Sequence, residues 1–170
     1  MKLELKENRY GNKSKYKTFL EYSNIFEKKY RFIFYVYQTK KISKYKNYNS
    51  NLYESNVVEL FFSDNKNRDK YLEIEVSPNN THFNAFVIKK QGERELKYID
   101  QSNDFISEIH DIDKTTQIVT IDIDLSKFLD SNDIYFNAYR IENELNSQYL
   151  IALNPTLSET FHKTDSFIKL

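Results

Sequence analysis

The chain lacks cysteine and tryptophan and has only two glycines and two prolines among its 170 residues. Without cysteine it can form no disulfide, thiolate nucleophile or cysteine-ligated zinc site. The glycine-rich turn of a dinucleotide-binding fold, the P-loop sequence and the GxSxG of α/β-hydrolases are all missing. These absences exclude large classes of nucleotide-dependent and serine-nucleophile enzymes.

Long apolar runs are missing as well. No stretch approaches the ~18 apolar residues of a membrane-spanning helix. The first residues, MKLELKENRYGNK, have no apolar region typical of a signal peptide. The length suits one domain with its own core. We therefore expect a single domain over residues 1–170 that has no membrane partner and is cytoplasmic if Met1 is the natural start.

Aromatic residues are abundant, at 16% of the chain, and all of them are tyrosine or phenylalanine. Apolar and polar residues alternate in several segments, which is typical of half-buried strands. The clearest segments are YRFIFYVYQ, NVVELFFS, KYLEIEVSP, THFNAFVIKK, TQIVTIDIDL, IYFNAYRIE and QYLIAL. The pattern predicts an all-β protein, an antiparallel β-sandwich of immunoglobulin-like or jelly-roll-like type with about eight to ten strands and minimal helix.

Three further segments do not show the clear alternation of a strand. NDFISEIHDI fits a short helix or a strand equally well, because its apolar residues satisfy both periods. SKFL predicts a short helical turn with Ser126 as its N-cap. KQGERE predicts the turn of a β-hairpin.

The net charge is zero, but the charge is unevenly distributed. Residues 1–50 hold 13 Lys and Arg against 4 Asp and Glu, and the rest of the chain holds 12 against 21. The basic stretch KKISKYKNYNSN alternates lysine with tyrosine, which could suit a nucleic-acid backbone. Arginine is scarce and no nucleic-acid-binding motif accompanies the stretch, so a solvated loop is the preferred interpretation and nucleic acid is not expected as a partner.

Three segments, in order, resemble the family 9 carbohydrate-binding modules and the related DOMON-like sandwiches. LYESNVVELFFSDNKNRDKYLEIEVSPNNTHFNAFV is similar to the family's aromatic loop and its first pair of strands. TIDIDLSKFLDSNDIYFNAYRIEN resembles a later strand block, and ALNPTLSETFHKTDSFIKL resembles the closing segment. Asn56, Asp124, Thr164 and Ile168 depart from the family pattern, and the tryptophans that usually clamp the sugar are absent.

The resemblance implies non-catalytic binding of a saccharide or another small polar ligand. The loop aromatic that precedes the VVE strand is Tyr53, which could stack on a sugar face with less contact area than tryptophan provides. No cofactor is implied beyond a structural calcium ion. Asp64, Asp69 and Asp122 supply the hard oxygen atoms that calcium prefers, although a solvated turn and an exposed strand face explain them as well.

Glu59, Glu73 and Glu75 form a second group of candidates. Each carboxylate lies in a predicted strand, and neighbouring strands could bring Glu59 beside either of the others. Such a cluster requires a cation, and Arg140 is the candidate because guanidinium binds carboxylates in a bidentate geometry. The group could form a polar sugar pocket, with Asn137 as a further hydrogen-bonding residue, or an internal network that braces the sheet.

Strand parity limits that group. Asn137 and Arg140 have opposite parity, so both cannot reach one face of a regular strand. Arg140 shares its parity with Phe136 and Ala138, and Asn137 shares its parity with Tyr135 and Tyr139.

Two other functions remain open. The domain could have lost its sugar site and bind a protein or a nucleic acid, or it could act on glycosides through paired acids. We expect no enzyme activity, because the resemblance is to a non-catalytic module. His162, in the closing segment, fits no metal-binding spacing. It is expected to hold the final turn through a hydrogen bond, with Phe161, Phe167 and Leu170 buried around it.

Overall fold

The computed structural model describes residues 1–64, 68–99 and 105–170. Strands dominate this part of the chain, and its helical segments are three short 3₁₀ turns at Leu52–Glu54, Leu125–Lys127 and Thr164–Ser166. No helix among the described residues is both long enough and apolar enough to cross a membrane. In chain order the strands are β1 (Leu3–Glu4), β2 (Lys6–Glu7), β3 (Thr18–Phe26), β4 (Lys29–Val36), β5 (Val57–Asp64), β6 (Lys70–Val76), β7 (His82–Lys90), β8 (Glu93–Tyr98), β9 (Phe105–Asp111), β10 (Gln117–Asp124), β11 (Ile134–Glu144), β12 (Ser147–Ala152) and β13 (Ile168–Lys169).

The strands form two antiparallel sheets. The five-stranded sheet has the order β1-β3-β4-β10-β9, and the eight-stranded sheet has the order β2-β12-β11-β5-β6-β7-β8, with β13 also paired to β11. The predicted all-β antiparallel sandwich is confirmed. Several of the additional strands are only two residues long, which explains why alternation alone does not reveal them.

The core lies between the two sheets and is built by alternation. Leu72 and Ile74 of β6 and Ile121 of β10 point inward and are fully buried. Phenylalanine side chains from three strands fill the centre: the Phe32 ring lies 5.5 Å from Phe62 and 5.6 Å from Phe136, centroid to centroid. The predicted inward faces of β6 and β10 are therefore confirmed.

Two local predictions concern the segment NDFISEIHDI and the turn that follows β10. Phe105–Asp111 is a strand, so the ambiguous segment resolves as β; Asn103 and Asp104 lie outside the described residues. The helical turn at Leu125–Lys127 is confirmed, but its N-cap is Asp124, whose side chain accepts a hydrogen bond from the Ser126 backbone. The prediction of Ser126 as N-cap was wrong because the N-cap lies two residues earlier and the turn begins at Leu125.

The closing segment covers part of the outer face of the eight-stranded sheet. Phe161 and Phe167 are buried there, whereas Leu170 is only partly buried. The Phe161 ring stacks on Tyr139 of β11 at 4.2 Å, and the Tyr139 hydroxyl donates to the Phe161 carbonyl. The outer face of the eight-stranded sheet therefore carries a second apolar cluster. The site described below lies beside this cluster, on the part of the face that the closing segment leaves uncovered.

Candidate functional site

Three glutamates lie side by side on the outer face of the eight-stranded sheet. Glu59 of β5 is directly opposite Glu75 of β6, and Glu73 lies two residues from Glu75 on the same face. All three side chains are buried. The expected carboxylate cluster therefore exists, because strand register aligns the outward-facing positions of β5 and β6.

These glutamates form the floor of a cavity of about 370 Å³. Tyr53 and Tyr98 line the same cavity and expose 50% and 56% of their surface. The other lining residues are Asn51, Phe83, Arg94, Leu96, Ile141, Gln148, Leu150, Glu159, Thr160, Phe161 and His162. The cavity has apolar walls, a polar floor and a volume in the range of small-ligand pockets, which is the form that such pockets usually take.

Tyr53 is held by its backbone. It lies in the 3₁₀ turn Leu52–Glu54, which the fully buried Leu52 anchors to the apolar cluster. The Tyr53 carbonyl accepts hydrogen bonds from the side-chain amides of Asn143 and Gln148, each at 3.2 Å. The loop aromatic is therefore fixed in position while its ring stays accessible, which suits a stacking residue.

Tyr98 is positioned by the hairpin of β7 and β8. Gln91 and Gly92 form the turn with positive φ, as two-residue hairpins require. The Tyr98 ring packs edge-on against Phe83 at 5.8 Å. In the register of the sheet, Tyr98 is opposite Ala85, which is in turn opposite Glu73, so Tyr98 lies in the same cross-strand row as Glu73.

His162 closes one side of the cavity. Its Nδ1 lies 2.5 Å from the Tyr71 hydroxyl and 3.8 Å from Glu73 Oε2. Burial lowers the pKa of His162 to about 3, helped by the positive charges of Arg94 and Lys89. Burial also raises the pKa of Tyr71, so the tyrosine keeps its proton and forms a hydrogen bond with the neutral imidazole. His162 thus holds the closing segment by a hydrogen bond, as expected, and also lines the cavity.

The three glutamates resist ionisation. Burial raises the pKa of Glu59 and of Glu75 well above the ordinary range, and the neighbouring glutamates add to the effect. Burial raises the pKa of Glu73 to about 7, although Arg94 opposes the shift. Near neutral pH the floor therefore carries protons as well as negative charge, and it can both donate and accept hydrogen bonds.

Arg140 lies on the opposite face of the sheet from these glutamates. It faces the five-stranded sheet and binds Glu142, with its Nη2 2.6 Å from Glu142 Oε2. The expectation that Arg140 neutralises the Glu59, Glu73 and Glu75 cluster was wrong. The parity noted in the sequence explains why: Arg140 points inward with Ala138, whereas Glu59 points outward.

Asn137 has the outward parity, but the closing segment covers it completely. Its side-chain amide donates to the Asn154 carbonyl at 2.7 Å and to the Ser166 hydroxyl at 3.1 Å, and its oxygen accepts from the Asn154 backbone. These bonds bridge the gap along β11 between β12 and β13. Asn137 and Arg140 therefore do not line the cavity that Tyr53 and the glutamates share.

Comparison with known proteins gives a structural answer only. No protein-family model matches the sequence, and no curated protein matches it. Among solved structures, a candidate carbohydrate-binding protein from Bacteroides uniformis superposes with a TM-score of 0.78 at 15% identity, over 100% of this chain and 84% of that chain. A family 9 carbohydrate-binding module from Caldicellulosiruptor kristjanssonii, in complex with glucose, gives 0.65 at 15% identity, over 98% and 82%. This chain has a family 9 module fold.

A family 9 module from the same organism in complex with cellotriose also matches, with a TM-score of 0.57 at 16% identity, over 88% of this chain and 72% of that chain. At these identities the likeness establishes the family 9 fold and leaves the ligand open. The DOMON-like part of the resemblance stays a prediction.

The calcium candidates are spread over the family 9-like fold. Asp122 lies on β10 and pairs with Arg31, whose Nε and Nη2 are 2.7 and 2.6 Å from its oxygens. Asp64 and Asp69 flank residues 65–67, which lie outside the described residues. Within the described ranges, no group of three or more histidine or acidic side chains is arranged to hold a metal ion. Calcium binding stays a prediction.

Sequence reasoning missed the contribution of β8 to the site. Arg94, Leu96 and Tyr98 alternate outward on this strand and all line the cavity. The signal was the Gln91–Gly92 turn: pairing β7 with β8 across it puts Tyr98 opposite Ala85, and pairing β6 with β7 puts Ala85 opposite Glu73. To find Arg94, Leu96 and Tyr98 from the sequence, the residue pairing of β6 with β7 and of β7 with β8 would both have to be worked out.

Proposed function

We propose that this domain binds a saccharide in the cavity lined by Tyr53, Tyr98 and the glutamate floor, and that it catalyses no reaction there. The observation that carries the proposal is the pair of half-exposed tyrosine rings that line one cavity with three buried carboxyl groups. A sugar ring has apolar C–H faces and a polar edge of hydroxyl groups. Tyrosine rings contact the faces well, and carboxyl groups bind the hydroxyls.

The fold supports this proposal independently. Two of the similar structures are family 9 modules in complex with glucose and with cellotriose. The residues that form the cavity come from the outer face of the larger sheet, from the loop and 3₁₀ turn that carry Asn51 and Tyr53, and from the closing segment.

The position of the glutamates supports binding better than glycoside hydrolysis. Catalytic acids flank the bond to be cleaved, one on each side of it. Here Glu73 and Glu75 are two residues apart on one strand and Glu59 is the direct cross-strand partner of Glu75, so all three form a single floor. This arrangement favours binding over cleavage.

Replacing either rim tyrosine should weaken saccharide binding. We expect Tyr53→Ala and Tyr98→Ala each to reduce affinity by roughly tenfold, because each removes one aromatic contact with the sugar face. A glycan array would identify a ligand, and titration calorimetry would then compare the variants.

Phe26→Ala is the control for this experiment. Phe26 is 61% exposed but lies on β3 in the five-stranded sheet, so affinity should not change. Unchanged affinity in both tyrosine variants would contradict the proposed site. No glycan binding, combined with retention on heparin or nucleic acid, would favour an interaction domain instead.

A further inference from the structure

The glutamate floor contains buried oxygen atoms without hydrogen-bond partners. Within the described residues, Oε2 of Glu73 and Oε2 of Glu75 accept no hydrogen bond, although these side chains are only 7% and 2% exposed. Glu73 and Glu75 interact through a side-chain hydrogen bond when one of them is protonated, but one shared proton cannot satisfy both of these oxygens, and when both groups are ionised neither can donate. Such atoms are costly to bury, and like charges placed opposite each other in a sheet, as Glu59 and Glu75 are, add to the cost.

The protein supplies little compensation from the elements around the floor. Tyr139 of β11 is neutral, and its hydroxyl is used by the Phe161 carbonyl. His162 is 3.8 Å from Glu73, but it is uncharged and its Nδ1 is occupied by Tyr71.

Two cations lie near the floor. Arg94 on β8 lowers the pKa of Glu73, yet its side chain is exposed at the rim. Lys89, at the end of β7, donates its ammonium group to the Thr164 hydroxyl. Within the part of the chain that the structure describes, neither cation forms an ion pair with the floor glutamates.

We propose that the ligand is an amino sugar, whose protonated amine binds against Glu73 and Glu75 while its ring lies between Tyr53 and Tyr98. An ammonium group has three donors and no acceptor, so it can satisfy both unpartnered oxygens and still reach Glu59. The tyrosine rings at the rim also favour a cation. This inference rests on the proposed saccharide site and specifies the class of sugar.

Three probes of similar shape separate the possibilities: glucose, glucosamine and N-acetylglucosamine. Calorimetry near neutral pH should show glucosamine binding roughly tenfold more tightly than the other two, since a charge-assisted hydrogen bond is worth more than a neutral one. Its binding should also release protons, because a bound cation lowers the pKa of neighbouring carboxyl groups. Titration in two buffers of different ionisation enthalpy measures that release.

The outcomes distinguish this inference from the proposed function. Equal affinity for the three probes would leave the saccharide site in place and overturn the amino-sugar inference. If none of the three sugars bound, both the proposed function and the amino-sugar inference would be overturned. Both would also be overturned if Nα-acetyl-lysine amide, which has a free side-chain amine, bound in place of the sugars.

Glu73→Gln and Glu75→Gln test the residues directly. Each replaces an ionisable carboxyl group by a neutral amide at nearly constant shape and prevents repulsion between ionised neighbours, so the fold should persist, which thermal unfolding would verify. The preference for glucosamine over glucose should fall toward one in both variants. Glu108→Gln, on β9 of the other sheet, is the matched control and should keep the full preference. A preference that survives in both floor variants would overturn the inference.

Discussion

The free energy of unfolding is expected to be highest near about pH 5 and to fall as the pH rises toward about 8. Burial raises the folded-state pKa values of Glu59, Glu73 and Glu75 above their unfolded value of 4.5. A group with a raised folded pKa contributes stability that is complete below the unfolded pKa and is lost as the pH rises through the folded pKa. For Glu73, with a folded pKa of about 7, the loss is about 3 kcal/mol.

His162 has the opposite effect at lower pH. Its pKa falls from 6.5 to about 3 on folding, so between these pH values the unfolded chain binds a proton at His162 and the folded protein does not. Stability should therefore decline as the pH falls through this range. Between 4.5 and 6.5 the three glutamates outweigh the single histidine, which sets the maximum near the lower end of that range.

Urea unfolding at a series of pH values would measure this profile. Glu75→Gln should flatten the decline above about pH 5 and raise stability at about pH 8, because it removes one group that must be held protonated. Stability that stays constant or increases between these pH values would show that the glutamates ionise freely in the folded protein.

Breaking the Arg140–Glu142 pair should destabilise the protein by about 3–5 kcal/mol. The two side chains are 1% and 0% exposed. Arg140 also donates to the Thr18 hydroxyl and to the Tyr37 carbonyl, so it joins β11 to the first residue of β3 and to the residue that follows β4 in the five-stranded sheet. Arg140→Met would leave the Glu142 carboxylate buried without its guanidinium, and the loss would be a large fraction of the 5–15 kcal/mol that stabilises a typical domain.

The Arg31–Asp122 pair provides a matched control. Here too two guanidinium nitrogens bond one carboxylate, but the side chains are 49% and 30% exposed, so Arg31→Met should cost only about 0–1 kcal/mol. Combining Arg140→Met with Glu142→Leu should recover part of the loss, because no buried charge then remains unpaired. Chemical denaturation of the three variants would give these values, and equal losses from Arg140→Met and Arg31→Met would contradict the role assigned to the buried pair.

The sequence alone predicted the class of fold and much of the core. Alternation in KYLEIEVSP and TQIVTIDIDL identifies the inward residues without any structure, because side chains on a strand alternate between its two faces. The same rule predicted that Arg140 shares a face with Phe136 and Ala138, which is what the structure shows. It also brought Tyr53 and the three glutamates into one list of candidates, and these four residues share one cavity.

The tertiary structure decided which candidates meet. Parity says which residues of one strand share a face, but it does not say how neighbouring strands align or which face a distant segment covers. Register places Glu59 against Glu75 and brings Tyr98 into the site across two further strands. The closing segment buries Asn137, and Arg140 contacts the five-stranded sheet, where it donates to Thr18. Alternation within a strand follows directly from the order of residues in the sequence. The site depends instead on contacts between strands that are far apart in the chain, and these contacts form only when the protein folds.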